Sequence, residues 1–188
     1  MKKKLLVLAV VAICASMSAY GTLAYFTHEE TATNVITAGS IKIELEEWAE
    51  SEDGSLVPFE DIDDVMPGMD VSKIVQIKNK GGQDAWVRIS VEKSIILADD
   101  VEGEVDLSLV TYDLNTEDWT EQDGYYYYNT VLKSGETTEP LFTTVYFSAD
   151  MSNLYQHSKA IIKVDAQATQ VANNGATVFE AAGWPEAE

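Results

Sequence analysis

The sequence predicts one all-β domain, a jelly-roll-like antiparallel β-sandwich, preceded by an N-terminal signal peptide. Three observations carry that reading. Apolar and polar residues alternate with a period of two in many short runs, turn-forming clusters separate those runs, and no apolar stripe of helical spacing follows the N-terminal segment. The boundaries that result are a helical, cleaved signal peptide at 1–25 and a sandwich at 26–188, which opens on a strand-like segment at 26–36. A chain of 188 residues suffices for one such domain with a real core.

The chain begins MKKK and runs on through LLVLAVVAICASMSAYGTLAYF with no further charge before His28 and Glu29. Basic residues stay on the cytoplasmic side while the apolar run enters the bilayer, which is the layout of an export signal. The run at 5–26 is also long enough to span a hydrocarbon layer of roughly 30 Å, so a retained anchor is the competing reading. Ser16, Ser18, Gly21 and Thr22 make its second half small and polar, which favours cleavage. Cys14 follows Ile13, where a lipoprotein signal needs a small residue, so it reads as one more apolar signal residue. No clean Ala-x-Ala site is present. The imperfect candidates place cleavage around Ala24, Tyr25 and Phe26 and point to an unusual signal peptidase.

In the body, Ile41, Ile43 and Leu45 alternate with Lys42, Glu44 and Glu46, a strand with one buried face. VSKIVQIKNK (71–80) and DAWVRISVEK (84–93) repeat the pattern and are joined through Gly81 and Gly82, a hairpin signal. Further strands are expected within 104–112, 124–132, 140–148 and 159–170, and in the last Ala160, Ile162, Val164, Ala166 and Ala168 share one face. The acidic stretches 46–55, 60–64, 98–106 and 115–124 read as solvated loops at the sandwich ends. A single helical turn near 151–155 or after Gly175 is the most the pattern allows.

Charge narrows the function classes. Lys+Arg 12 against Asp+Glu 32 gives a net charge of −20. Losing Lys2, Lys3 and Lys4 with the signal leaves nine basic residues against 32 acidic ones, a net of −23. Such a surface repels phosphate backbones and anionic lipids, so nucleic-acid binding and membrane docking after cleavage are disfavoured. The domain past the signal has no cysteine, which excludes disulfides, thiol catalysis and cysteine-based zinc sites.

No motif for a catalytic site emerges: there is no H-E-x-x-H, G-x-S-x-G, P-loop or dinucleotide fingerprint. His28 and His157 lie in polar stretches and read as exposed loop residues. Carboxylate pairs are uninformative amid so many acids, and no loop has the calcium spacing D-x-[DN]-x-[DN]-G. The expectation is no catalytic, cofactor or metal residue, with calcium the one ion the acidic loops leave open. The tetrad at 125–128 invites a sugar-binding or adhesive reading, but alternate tyrosines on opposite sides of a strand fill a core and cover its outer face equally well.

The segment GTLAYFTHEETATNVITAGSIKIEL (21–45) resembles the junction between signal peptide and mature chain in the TasA/camelysin family of exported bacterial proteins. The matching residues are Gly21, Thr22, Ala24, Phe26, Thr37, Ala38, Gly39 and Ile41. PGMDVSKIVQIKNKGGQDAWVRISV (67–91) is similar to a second family stretch and VDAQATQ (164–170) to its late strand, while DGYYYYNTVLKSGETTEPLF looks like clostridial-type members that form fibres. The resemblance implies a SipW-type signal peptidase as processing partner. It also implies a jelly-roll fold and a secreted fibre or biofilm-matrix subunit at the cell surface, self-associating or joining a related subunit. In such fibres the freed N-terminal segment completes a neighbour's sheet by donor-strand exchange. Here 26–36 is β-compatible and free of proline, with Phe26, Val35 and Ile36 as anchors, and the linkage would be heterologous and open-ended. The alternatives are a camelysin-like secreted metalloprotease and a monomeric surface adhesin or accessory subunit.

Overall fold

A computed structural model describes residues 35–37, 41–60, 66–99 and 101–185. The chain divides after residue 32, and every described residue lies in the later unit. Among the described residues the strands are β1 (Val35–Thr37), β2 (Ile43–Glu50), β3 (Leu56–Pro58), β4 (Asp70–Asn79), β5 (Ala85–Ile96), β6 (Val110–Tyr112), β7 (Trp119–Gln122), β8 (Tyr125–Tyr128), β9 (Phe142–Phe147) and β10 (Lys159–Gln170). One sheet has the order β1-β10-β5-β8-β7 and the other β3-β2-β4-β9-β6. The fold is the predicted all-β sandwich. Every strand pair is antiparallel except β1 with β10, which is parallel.

Alternation explains the core directly. Ile43 and Leu45 on β2, Val75 and Ile77 on β4, and Val87 and Ile89 on β5 are all buried between the sheets, and each such side chain stabilises the fold by roughly 1.5–3 kcal/mol. The hairpin expected between 71–80 and 84–93 does not form: β4 and β5 lie in different sheets and pair with other strands, and the turn at Gly81 and Gly82 carries the chain from one sheet to the other. At that crossing Asn79 is fully buried with its polar atoms satisfied: its Nδ2 donates to the Gln83 and Leu132 carbonyls, and its Oδ1 accepts from the Gly81 amide. A Cβ at Gly81 would lie 3.0 Å from the Lys42 amide nitrogen, so the turn passes too close to β2 for a side chain.

Two cations break the apolar pattern. Lys73 is 2% exposed; its Nζ meets Glu47 Oε1 at 2.5 Å and lies 3.6 Å above the Phe59 ring. Lys93 continues the inward-facing series of β5 and donates across the sandwich to the Val110 carbonyl at 2.5 Å. Burial pulls its ammonium below the usual range, against the opposing pull of Asp106.

Several expectations need correction. The stretch 46–55 is not all loop, because β2 continues to Glu50 and the chain then folds back into β3. Within 104–112 only Val110–Tyr112 is strand, and Leu107–Leu109 forms a 3-10 turn capped by the Asp106 side chain. Within 115–124 lies β7, whose buried Trp119 donates its Nε1–H to the Glu139 carbonyl. Exposed polar residues hid that strand, because three of its four residues, Thr120, Glu121 and Gln122, face solvent. The helical turn near 151–155 is present as a 3-10 turn at Asn153–Tyr155. The strand expected across 124–132 ends at Tyr128.

Candidate functional site

Among the described residues, the outer edge of β10 is only partly paired. On one side all twelve residues of β10 pair with β5, from Lys159↔Ile96 to Gln170↔Ala85. On the other side β1 covers only three, Val35↔Ala166, Ile36↔Gln167 and Thr37↔Ala168. Residues 160–165 therefore present an edge with no strand neighbour among the described residues. Inward from that edge, Ala160, Ile162 and Val164 are buried in the core. On the solvent side Lys163 Nζ approaches Asp165 Oδ2 at 3.2 Å, which raises the lysine. Asp165 Oδ1 is buried with no hydrogen-bond partner among the described residues.

Two of the predicted assembly anchors, Val35 and Ile36, thus lie in the strand beside this edge. Phe26, the cleavage region Ala24, Tyr25 and Phe26, the signal peptide and His28 lie outside the described residues. His157 is exposed two residues before β10, in a left-handed turn at φ 60°. Among the described residues no three histidine, cysteine or acidic side chains come together in a group that could hold a metal ion.

A second arrangement escaped the sequence reading. On the outer face of the β10-containing sheet, Trp86 and Tyr127 are buried with Val178 beneath a C-terminal segment at 171–185. The Arg88 guanidinium lies 3.8 Å from the Tyr125 ring centroid and 4.5 Å from that of Trp184. Its Nε and Nη2 donate to Gln167 Oε1, and its Nη1 donates to Tyr127 Oη. The tyrosine tetrad does alternate, with Tyr126 and Tyr128 packed on the main core. Its outer pair is covered by the chain's own tail, and this is the structural role of those rings. The signal lay in Val178, Phe179 and Trp184, apolar residues set in a glycine- and asparagine-rich tail, and in Trp86 facing away from the core.

The family model for the camelysin metallo-endopeptidases matches residues 1–108. The chain belongs to that family. The camelysin match spans β1 to β5 and stops before β10 and the C-terminal segment. No curated protein and no solved structure matches the chain. The described residues of this camelysin-family chain offer no ligand set for the metal that the family's description carries. Among them no helix is long and apolar enough to cross a membrane.

Proposed function

We propose that the chain is an exported structural subunit of an extracellular fibre or matrix. Its copies join by donor-strand exchange at the outer edge of β10. The observation that carries this reading is the pairing of that strand among the described residues, twelve on one side and, on the other, three that belong to β1. Main-chain N–H and C=O groups at an exposed edge are templates for another strand, and an added strand gains hydrogen bonds along its whole length. The three pairs made by β1 are parallel, the slightly weaker geometry, so little is lost when a longer strand competes for the edge. A SipW-type signal peptidase acting around Ala24, Tyr25 and Phe26 frees the segment 26–36, in which Phe26, Val35 and Ile36 anchor the strand in its new partner. A copy that gives its strand to one neighbour and accepts one from another forms an open filament.

Electron microscopy tests this on the mature domain starting at Phe26, beside a version lacking 26–36. Filaments from the first and none from the second are expected. Monodisperse monomers from both would remove the homopolymer reading. Mass analysis of protein from culture medium checks the processing step, since residues 1–24 should be gone.

The family's description supports a second reading, a secreted metallo-endopeptidase. Chelator-sensitive cleavage of casein that follows the purified protein, and that is lost on changing His28 and His157, would put that reading first.

A further inference from the structure

One side chain ties together the two ends of the C-terminal segment that covers Trp86 and Tyr127. Asn174 Nδ2 donates to the Gln170 carbonyl at 2.8 Å, to the Ala182 carbonyl at 3.0 Å and to Thr169 Oγ1 at 3.4 Å. Its Oδ1 accepts from the Ala182 amide at 2.8 Å and from the Gly175 amide at 2.9 Å. The Thr169 hydroxyl closes the ring by donating to the same Ala182 carbonyl at 2.9 Å. Both sides of the carboxamide are therefore used, which an isosteric carboxylate cannot reproduce because it accepts only.

The residue after Asn174 is glycine for a packing reason. A Cβ at Gly175 would lie 2.4 Å from the Glu180 carbonyl carbon and 2.5 Å from its oxygen. That requirement creates a chemical weakness, because a glycine amide nitrogen has no neighbouring side chain to shield it from the preceding asparagine. We propose that Asn174 is a deamidation site and that its conversion irreversibly unlatches the segment 171–185. The Gly175 nitrogen attacks Asn174 Cγ, a ring closes through the new C–N bond, and the side-chain nitrogen leaves as ammonia. Water then opens the ring at one of its two carbonyls, giving an aspartyl or isoaspartyl residue. The net change is addition of water and loss of ammonia, with no oxidant or reductant.

In the closed segment the carboxamide is tied down on both sides, so the reaction runs from the opened form and its rate follows local opening. Afterwards an acceptor oxygen stands where Nδ2 donated, facing the Gln170 and Ala182 carbonyl oxygens. Acceptor against acceptor repels, and the lost donor leaves both carbonyls short of a partner. The segment then stays open, taking Val178 with it, and the face carrying Trp86 and Tyr127 is uncovered. The reaction needs only solvent, so it marks the age of an exported copy.

The test uses the purified full chain. Asn174→Asp reproduces the product, and it should raise hydrogen exchange at the Ala182 amide by about tenfold or more while exchange along the β5–β10 ladder stays unchanged. Unchanged protection at Ala182 would overturn the latch. In parallel, wild type and Arg88→Ala are aged at mildly alkaline pH, and the peptide carrying residue 174 is read by mass spectrometry. Conversion at Asn174 in wild type, faster in Arg88→Ala, is expected, because Arg88 stacks on Trp184 of the segment. An Asn174 that keeps its amide in both proteins, or equal rates in the two, would overturn the proposal. Filament formation by unconverted protein is independent of this outcome.

Discussion

At the scale of single residues, stability turns on charges brought into the sandwich. Lys73 is almost fully buried against Glu47 and the Phe59 ring, so its ammonium depends on the carboxylate beside it. Glu47→Gln should cost about 2 kcal/mol and lower the urea midpoint, whereas Lys73→Met should cost less, because it removes the buried charge along with its need for the carboxylate. Asp113 offers a pH test. Burial alone would raise its carboxyl, but hydrogen bonds from the Thr143 hydroxyl and from the Thr144 and Thr143 amides outweigh burial and hold it below its ordinary 3.8. A carboxyl depressed in the folded state adds stability above the unfolded value, and that stability is lost as pH falls through the folded one. Asp113→Asn should therefore be less stable than wild type at neutral pH by about 1 kcal/mol. The gap between their denaturation midpoints should close as pH drops below the ordinary value. Neither feature was legible beforehand. Lys73 occupies a position that reads as one more polar residue, and the partners of Asp113 lie thirty residues away on β9.

At the scale of elements, the strands with one regularly buried face were the readable ones, wherever their pairing partners lie. Strands β4 and β5 declare themselves through alternation, and β10 through five small or branched residues on one face, but Gly81-Gly82 turns the chain from one sheet to the other instead of closing the expected hairpin. Strand β7 was hidden because three of its four side chains are exposed, so local composition resembles a loop until Tyr125–Tyr128 pairs with it. The C-terminal segment was invisible for a related reason. Its apolar residues have no period of their own and acquire a role only beneath the rings of β5 and β8. That dependence is testable with Trp184→Ala, which removes the ring stacked on Arg88 and set edge-on to Tyr127. Proteolysis within 171–185 should become markedly faster while the urea midpoint of the sandwich shifts by less than about 1 kcal/mol of stability.

At the scale of the whole molecule, net charge and an incomplete edge oppose one another. A net charge of −20 in the full chain, and −23 after loss of the three N-terminal lysines, makes copies repel at low ionic strength. A β10 edge paired over three residues among those described invites strand addition. Filament growth by the mature domain should therefore quicken as salt rises from about 0.01 M to 0.15 M, where the screening length falls from roughly 30 Å to 8 Å. Growth rates followed by light scattering, with electron microscopy of the end points, check this. By itself the sequence determined the all-β class, most of the strands, the family resemblance and the acidic surface, because alternation, turn chemistry and charge are local properties of the chain. Only the tertiary structure decided that β1 lies parallel to β10, that a tail closes over the outer face, and that Asn174 ties that tail to the end of β10. These depend on pairs far apart in sequence, such as Val35 with Ala166, which no local pattern specifies.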